Sequence, residues 1–164
     1  QKIIPDLLTI IIPRNILRVE DIKKEISNLN LKVEKFSNIS DKSKIDVLLI
    51  DSYGKSEQFY NLSNIVFLGG SLIKHGGQNP LEPSRLQCKV IHGPYVDNFI
   101  EIYEYLKTLN ISYKVKNVEE MSEYILQNIK ANKMDHEIVK EIDDYGHEIL
   151  EQYIKEIQNY LNLQ

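Results

Sequence analysis

Residues 67–83 read FLGGSLIKHGGQNPLEP, and this stretch decides the fold. It opens on the end of a short apolar run, Ile65–Leu68, which has strand length and strand composition. Gly69-Gly70 ends that strand, and Ser71 follows. A second pair, Gly76-Gly77, comes before Asn79-Pro80-Leu81-Glu82, which reads as a helix start. Asn79 is a good N-cap, Pro80 suits the first helical position, and Glu82 closes a capping box. In the other register the helix begins at Pro83 with Glu82 near its cap. Strand, glycine loop and helix N-terminus in that order are one turn of a β/α unit. The segment holds four of the chain's seven glycines and two of its five prolines. A βα turn explains one glycine on its own. Two Gly-Gly pairs point to a backbone that something approaches closely.

Working outward, apolar β-branched runs alternate with amphipathic stretches, which predicts a Rossmann-like α/β fold with a parallel sheet of about six strands flanked by helices. Candidate strands are Leu7–Ile12, Leu31–Phe36, Ile45–Ile50, Ile65–Leu68, Lys89–His92 and Ser112–Val115. Candidate helices are Val19–Leu29 (with Ile22, Ile26 and Leu29 on one face), Lys55–Leu62, Pro80–Gln87, Asn98–Leu109, Val118–Ile129 and a long last one, Met134–Leu161. In the fourth, Asp97 or Asn98 is the expected cap, and Phe99, Ile102, Tyr103 and Leu106 form the apolar stripe. The polar run Ser37–Ser43 is a loop too short to divide domains, so 1–164 reads as a single domain. Gly54, Gly69, Gly70, Gly76, Gly77 and Gly93 all follow predicted strands. In an open parallel sheet those loops share one edge, and ligands bind there.

The bulk composition narrows the function. The 164 residues are 42% hydrophobic and 27% charged, enough for a real core and a soluble surface. The net charge of −4 argues against a general nucleic-acid binder, which needs a basic face. The one cysteine, Cys88, rules out an internal disulfide and fits a reducing compartment. No apolar run approaches the roughly 18–20 residues that span a bilayer. The chain starts without Met, a few residues before a strand, and is expected to be a piece of a larger protein.

The candidate site follows from chemistry. Gly69, Gly70, Ser71, Gly76 and Gly77 let a ligand lie against the main chain. The helix after Asn79 aims its N–H groups at the same rim and favours an anion. Glu82 beside it is placed to accept hydrogen bonds from two ribose hydroxyls, so a nucleotide would use both features. Arg14, after the first strand, can grip a phosphate or carboxylate bidentately. Lys74 and His75 add positive charge within the glycine loop. Ser52, Tyr53 and Gly54 follow the third strand, where their polar groups can read a base edge. GxGxxG and the GxxxxGK[ST] loop are absent, and His75, Cys88 and His92 lack zinc spacing, so no metal and no cofactor is expected. A receiver-like signalling module with Asp51 as phospho-acceptor stays open as an alternative, although Pro13, Arg14 and Asn15 stand where such a site needs acidic residues.

The run FLGGSLIKHGGQNPLEPSRLQCKVIHGPYVDNFIEI resembles the signature of the bacterial 3-deoxy-D-manno-octulosonic acid (Kdo) transferases, and IIIPRN and DVLLIDSYGKSEQFYNLSNIVFLGG are similar to its flanks. The resemblance implies the C-terminal, donor-binding half of a glycosyltransferase-B architecture. It implies an inverting, metal-independent transfer of Kdo from CMP-Kdo to the lipid A precursor in lipopolysaccharide biosynthesis, at the cytoplasmic face of the inner membrane. It assigns Arg14 to the donor phosphate, and Gly69, Gly70 and Ser71 to the floor under the donor. Asn79 and its helix go to the phosphate, Glu82 to the ribose, and Ser52–Gly54 to the neighbourhood of the cytosine. The general base and the lipid A acceptor surface belong, on the same resemblance, to an N-terminal domain missing from this chain, so the chain alone is expected to bind donor without transferring it. Asn15, Gln78, Tyr53 and Lys55 depart from the family pattern. A UDP-sugar transferase of the same architecture is the neighbouring alternative. The apolar stripe of Met134–Leu161, cut from its partner, predicts dimers through that helix.

Overall fold

The computed structural model describes residue 4, residues 7–39 and residues 44–162. Ser40–Ser43, the second half of the polar loop read from the sequence, lie outside the described residues. All six strands and six helices expected from periodicity are found, most of them a residue or two shorter at one end or both. The strands form two three-stranded parallel sheets, one in each of two compact units, Gln1–Phe59 and Tyr60–Gln164.

The first unit contains β1 (Thr9–Ile11), α1 (Val19–Ser27), β2 (Val33–Lys35) and β3 (Val47–Leu49), and α2 (Ser56–Leu62) begins within it. The sheet order is β1-β3-β2, with Val47 opposite both Thr9 and Val33. The central strand is buried on both faces, which is why it reads as an unbroken apolar run. Its side chains divide by parity. Val47 and Leu49 pack with Val19, Ile26 and Val33, whereas Leu48 and Ile50 pack with Phe59. Leu29 is not on the buried face as expected. Helix α1 stops at Ser27, Asn30 takes a positive φ of 57°, and Leu29 is left 69% exposed.

The second unit contains β4 (Ile65–Phe67), α3 (Leu81–Arg85), β5 (Lys89–His92), α4 (Ile100–Thr108), β6 (Ser112–Lys114), α5 (Val118–Asn128) and α6 (His136–Asn162). Its sheet runs in chain order, β4-β5-β6. Tyr103 and Leu106 of the α4 stripe are buried as the periodicity predicts. Neither Asp97 nor Asn98 caps α4 with its side chain. A 3-10 turn, Asp97–Phe99, leads into the helix instead, because the Asn98 main chain and side chain are both engaged with Gly76.

Helix α6 is docked over only part of its length. Ile142 is fully buried with Leu106 and Ile111, Tyr145 stacks on Tyr105 at 3.7 Å, and Arg85 of α3 reaches Asp143 at 2.7 Å. Gly146 leaves room for that arginine, since a Cβ there would collide with its guanidinium nitrogen. From Leu150 to Leu161 every residue is exposed. Cys88 is sealed at the entrance to β5, its thiol 3.2 Å from the carbonyl oxygens of Tyr60 and Ser63.

Candidate functional site

The loop from β4 to α3 is organised by one buried hydroxyl. Ser71 Oγ donates to the Leu68 carbonyl at 2.6 Å and accepts the Gly93 N–H at 2.8 Å, while its own carbonyl accepts Tyr95 N–H at 2.9 Å. This ties the loop after β4 to the loop after β5. Gly93 must be glycine here, because a Cβ would run into the Ser71 main chain. Ser71, expected on the floor under a ligand, is wholly buried and so acts as the tie beneath that floor.

The four glycines of the opening stretch separate into two kinds. Gly70, Gly76 and Gly77 have φ of 72°, 85° and 73°, values that favour glycine. A Cβ on Gly76 would collide with the Asn98 side chain, and one on Gly77 would sit 3.1 Å from Val96 Cγ1. One on Gly70 would press on His75 Cδ2 at 3.3 Å. Gly69 has no positive φ, and among the described residues nothing lies within 4 Å of where its Cβ would be. Local geometry thus accounts for three of the glycines, and only Gly69 leaves open space over the main chain. The later part of the loop folds back beside it: Gly77 N–H donates to the Gly70 carbonyl at 3.3 Å, and Gln78 Nε2 comes within 3.5 Å of the Gly69 carbonyl.

The same loop and the start of α3 carry several exposed polar side chains. Lys74, His75, Asn79 and Glu82 are exposed. Asn79 Oδ1 accepts the Leu81 N–H at 3.0 Å, but the N-cap position of α3 falls on Pro80 and not on Asn79 as expected. Its amide NH2 has no hydrogen-bond partner among the described residues. Glu82, in the first turn of α3, lies close enough to Tyr60 that its charge, second to burial, helps raise the tyrosine's pKa. Helix α3 differs from the expectation in one way that matters. It has five residues where Pro80–Gln87 was read, so its dipole is short. Pro80 and Pro83 have no N–H, and Asn79 takes that of Leu81. Few main-chain N–H groups are therefore left at this helix end, and the polar groups on offer there are chiefly side chains.

Two groups that the sequence reading left without a role support the loop from below. Tyr103 OH donates to the Gln78 carbonyl at 2.9 Å, and its ring packs on His92 with centroids 4.2 Å apart. His92 is buried, with Nδ1 2.8 Å from the Gly93 carbonyl, an arrangement that places the proton on Nδ1 of a neutral ring. Burial holds its pKa below the usual histidine value, and the Gly93 carbonyl pulls partly the other way.

On the rim of the first unit, β1 and β3 are neighbours, so the loops carrying Arg14 and Ser52–Gly54 leave the same edge of that sheet. Arg14 is exposed and pairs with no carboxylate among the described residues. Asn15 caps the 3-10 turn Ile16–Arg18 by accepting the Leu17 N–H at 3.0 Å. Ser52 is half-buried, Tyr53 is 65% exposed, and Gly54 has a φ of 71° with open space around it. Asp51 is engaged by Ser37, whose hydroxyl and N–H both donate to it and hold its pKa below the usual carboxylate value. That is an anchor for the loop after β2 rather than a free phospho-acceptor. Among the described residues, no group of three or more His, Cys, Asp or Glu is placed to hold a metal, and no helix is long and apolar enough to cross a membrane.

No family model matches the chain. It is 32% identical over 140 residues, 84% of its length, to a bifunctional glycosyltransferase/methyltransferase of Fusobacterium nucleatum, of which it spans 22%. It is 32% identical over 165 aligned positions to the 3-deoxy-D-manno-octulosonic acid transferase of Haemophilus influenzae, a match covering 97% of this chain and 37% of that protein. The C-terminal CMP-Kdo binding domain of WaaA from Acinetobacter baumannii superposes with a TM-score of 0.71 and 28% identity, over 88% of this chain and 74% of that one. Fold and relatives together set the chain beside glycosyltransferases. Among these it is similar to the Kdo transferases, and it shares the fold of that C-terminal CMP-Kdo binding domain. The chain spans well under half the length of the two curated relatives described here.

Gly69→Ala is expected to leave stability within about 0.5 kcal/mol of the parent. Gly76→Ala is expected to cost at least about 1–3 kcal/mol, from the left-handed strain and the collision with Asn98. Urea unfolding of the two variants checks the contrast, and equal losses would contradict the assignment of Gly69 to open space.

The His92 shift has a definite sign. The folded state binds the His92 proton less readily than the unfolded chain, so the contribution is complete above the unfolded pKa of about 6.5 and is lost as the pH falls through the lower folded value. Denaturant midpoints measured from pH 7.5 down to pH 5 should therefore fall less in His92→Asn than in the parent. Parallel curves would remove His92 from the acid sensitivity.

Proposed function

We propose that this chain is the CMP-Kdo binding domain of a Kdo transferase, and that it holds the donor while the rest of the protein supplies the acceptor. One observation carries the reading. Gly69 alone in its loop presents an open main chain, and the Gly77–Asn79 segment folded beside it leads directly to the exposed Asn79 amide and the Glu82 carboxylate. An uncovered peptide surface flanked by an amide donor and a carboxylate suits the phosphate and ribose of a nucleotide.

Lys74, His75 and the Asn79 amide supply the positive and donor groups that the short helix does not. Glu82 accepts the ribose hydroxyls. Arg14, Ser52, Tyr53 and Gly54 are assigned by the family resemblance, Arg14 to the phosphate and the other three to the cytosine. Fixed donors on the phosphate stabilise CMP as it leaves, without reorganisation at the moment of transfer. For the whole protein the reading makes the lipid A precursor the acceptor, uses no metal ion, places the enzyme at the cytoplasmic face of the inner membrane, and leaves transfer itself beyond this chain alone. Residues 1–164 act in it as a single donor domain.

Calorimetric titration with CMP, and with UDP as control, tests the reading. Saturable binding of CMP is expected, with UDP weaker. Loss of a charge-assisted contact in Glu82→Ala or Arg14→Ala is expected to weaken CMP by about tenfold or more. A well-folded Gly69→Ala is expected to weaken it too, by occupying the open space. A folded chain that binds neither nucleotide, or binds UDP as tightly as CMP, counts against the assignment.

The free half of α6 supports a dimer between two copies of this chain. Leu150, Tyr153, Ile154, Ile157, Tyr160 and Leu161 are each at least 44% exposed and recur at spacings of three and four, the pattern of a helix-pairing seam. Together they offer on the order of 700 Å² per copy, near the roughly 800 Å² per partner of a standard interface. Light scattering should give twice the chain mass at high concentration, and Ile154→Lys with Ile157→Glu should restore the monomer. A parent that stays monomeric would end the proposal.

A further inference from the structure

We infer that Tyr103 is a positioning residue for the candidate donor site: its hydroxyl, given to the Gln78 carbonyl, sets the Gln78–Asn79 peptide and through it the Asn79 side chain. The peptide is planar, so fixing the Gln78 carbonyl fixes the plane from which Asn79 departs. Asn79 in turn sets the start of α3 by accepting the Leu81 N–H. Tyr103 is 2% exposed, and a phenol buried to that degree needs a partner. The partner it has is not in a neighbouring helix but in the glycine loop, 25 residues away in sequence.

Tyr103 is itself held from two sides. His92 at the end of β5 packs against its ring, and Ser112 of β6 donates its hydroxyl to the Tyr103 carbonyl at 2.9 Å. Burial raises the phenol's pKa far above its usual value, so the donor proton stays in place across the physiological range. The chain leading into Tyr103 grips the same loop at the two preceding residues. Asn98 N–H donates to the Gly76 carbonyl at 3.3 Å, and Val96 closes over Gly77. Gly76, Gly77 and Gln78 are thus held in succession by Asn98, Val96 and Tyr103, and the next residue is Asn79. Two sheet strands and a helix are connected to the rim through one hydroxyl.

The test compares Tyr103→Phe, which removes that hydroxyl, with Leu106→Ala, which opens a different core cluster one turn along α4. Amide exchange is followed by NMR in the nucleotide-free chain at Gly77 and Leu81, whose N–H groups bond within the loop, and at Gly93, whose N–H bonds Ser71 Oγ. Tyr103→Phe is expected to speed Gly77 and Leu81 by about tenfold and leave Gly93 unchanged, the effect of one orphaned buried acceptor. Leu106→Ala should speed Gly77 and Gly93 alike, and Leu81 at least as much because Leu81 packs on the Leu106 cluster. Ser112→Ala, a milder change that loosens the grip on Tyr103, should shift the same two amides in the same direction and keeps the test available if Tyr103→Phe does not fold.

The effect on binding rests on the donor-domain reading: CMP affinity should fall about tenfold in Tyr103→Phe. Exchange at Gly77 and Leu81 that does not change, or that rises equally at Gly93, overturns the role of Tyr103. So does unchanged CMP affinity in Tyr103→Phe when the parent binds. A parent that binds no CMP defeats the donor reading instead, and the exchange data still decide what Tyr103 does.

Discussion

The candidate site depends on one wholly buried hydroxyl. Ser71 lies under the loop after β4, bonded to Leu68 on its own strand and to Gly93 on the next. Two consequences follow from that pair of bonds. Gly93 must come so close that no side chain fits, and Tyr95 is drawn in to meet the Ser71 carbonyl. Val96 and Asn98 are then brought over Gly76 and Gly77, which force those residues into conformations that suit glycine. The glycine pattern is in this sense an echo of the serine. What remains after these demands are met is Gly69, where the described residues leave room for a Cβ.

This ordering explains which parts of the molecule could be read in advance. The strands and helices were legible because both units bury regular faces. Val47 to Ile50 alternate between two clusters, and Tyr103 and Leu106 follow the helical period. Ends were less legible. Leu29 keeps the helical spacing but falls after Asn30's turn has begun to pull the chain away, and the cap expected at Asn98 was overridden by a distant glycine. The residues of the site were legible as a set, because Gly, Pro, Asn and Glu clustered after one strand. Their division of labour was not. Ser71 and Gly69 are two residues apart, yet one is a buried tie and the other open floor. That difference lies in contacts with β5 and with the segment entering α4. Tyr103 was counted only as part of an apolar stripe, since the stripe records the buried ring and is silent about where the hydroxyl goes. The exchange of roles at α3 has a similar cause. A helix start was visible in Asn79-Pro80, but the prolines that mark it also remove the N–H groups that would make it an anion site.

The relatives agree with this picture at the level of the whole chain. Three of the departures from the family pattern fall where the structure can absorb them. Asn15 caps a turn. At Gln78, the contact from Tyr103 is to the backbone carbonyl, which any residue provides. Tyr53 stands exposed at a loop tip, so the exchange disturbs no packing.

The sealed position of Cys88 has a practical consequence. With no exposed surface, and with burial pushing its thiol up to about 11, it is almost wholly protonated and shielded at neutral pH. Its sulfur sits between the Tyr60 and Ser63 carbonyls where the chain enters β4, so no reagent reaches it until that junction separates. The protein therefore carries its own clock for the opening of the second unit: the rate at which a thiol-specific reagent labels this one atom counts those openings, with no probe added to the native state.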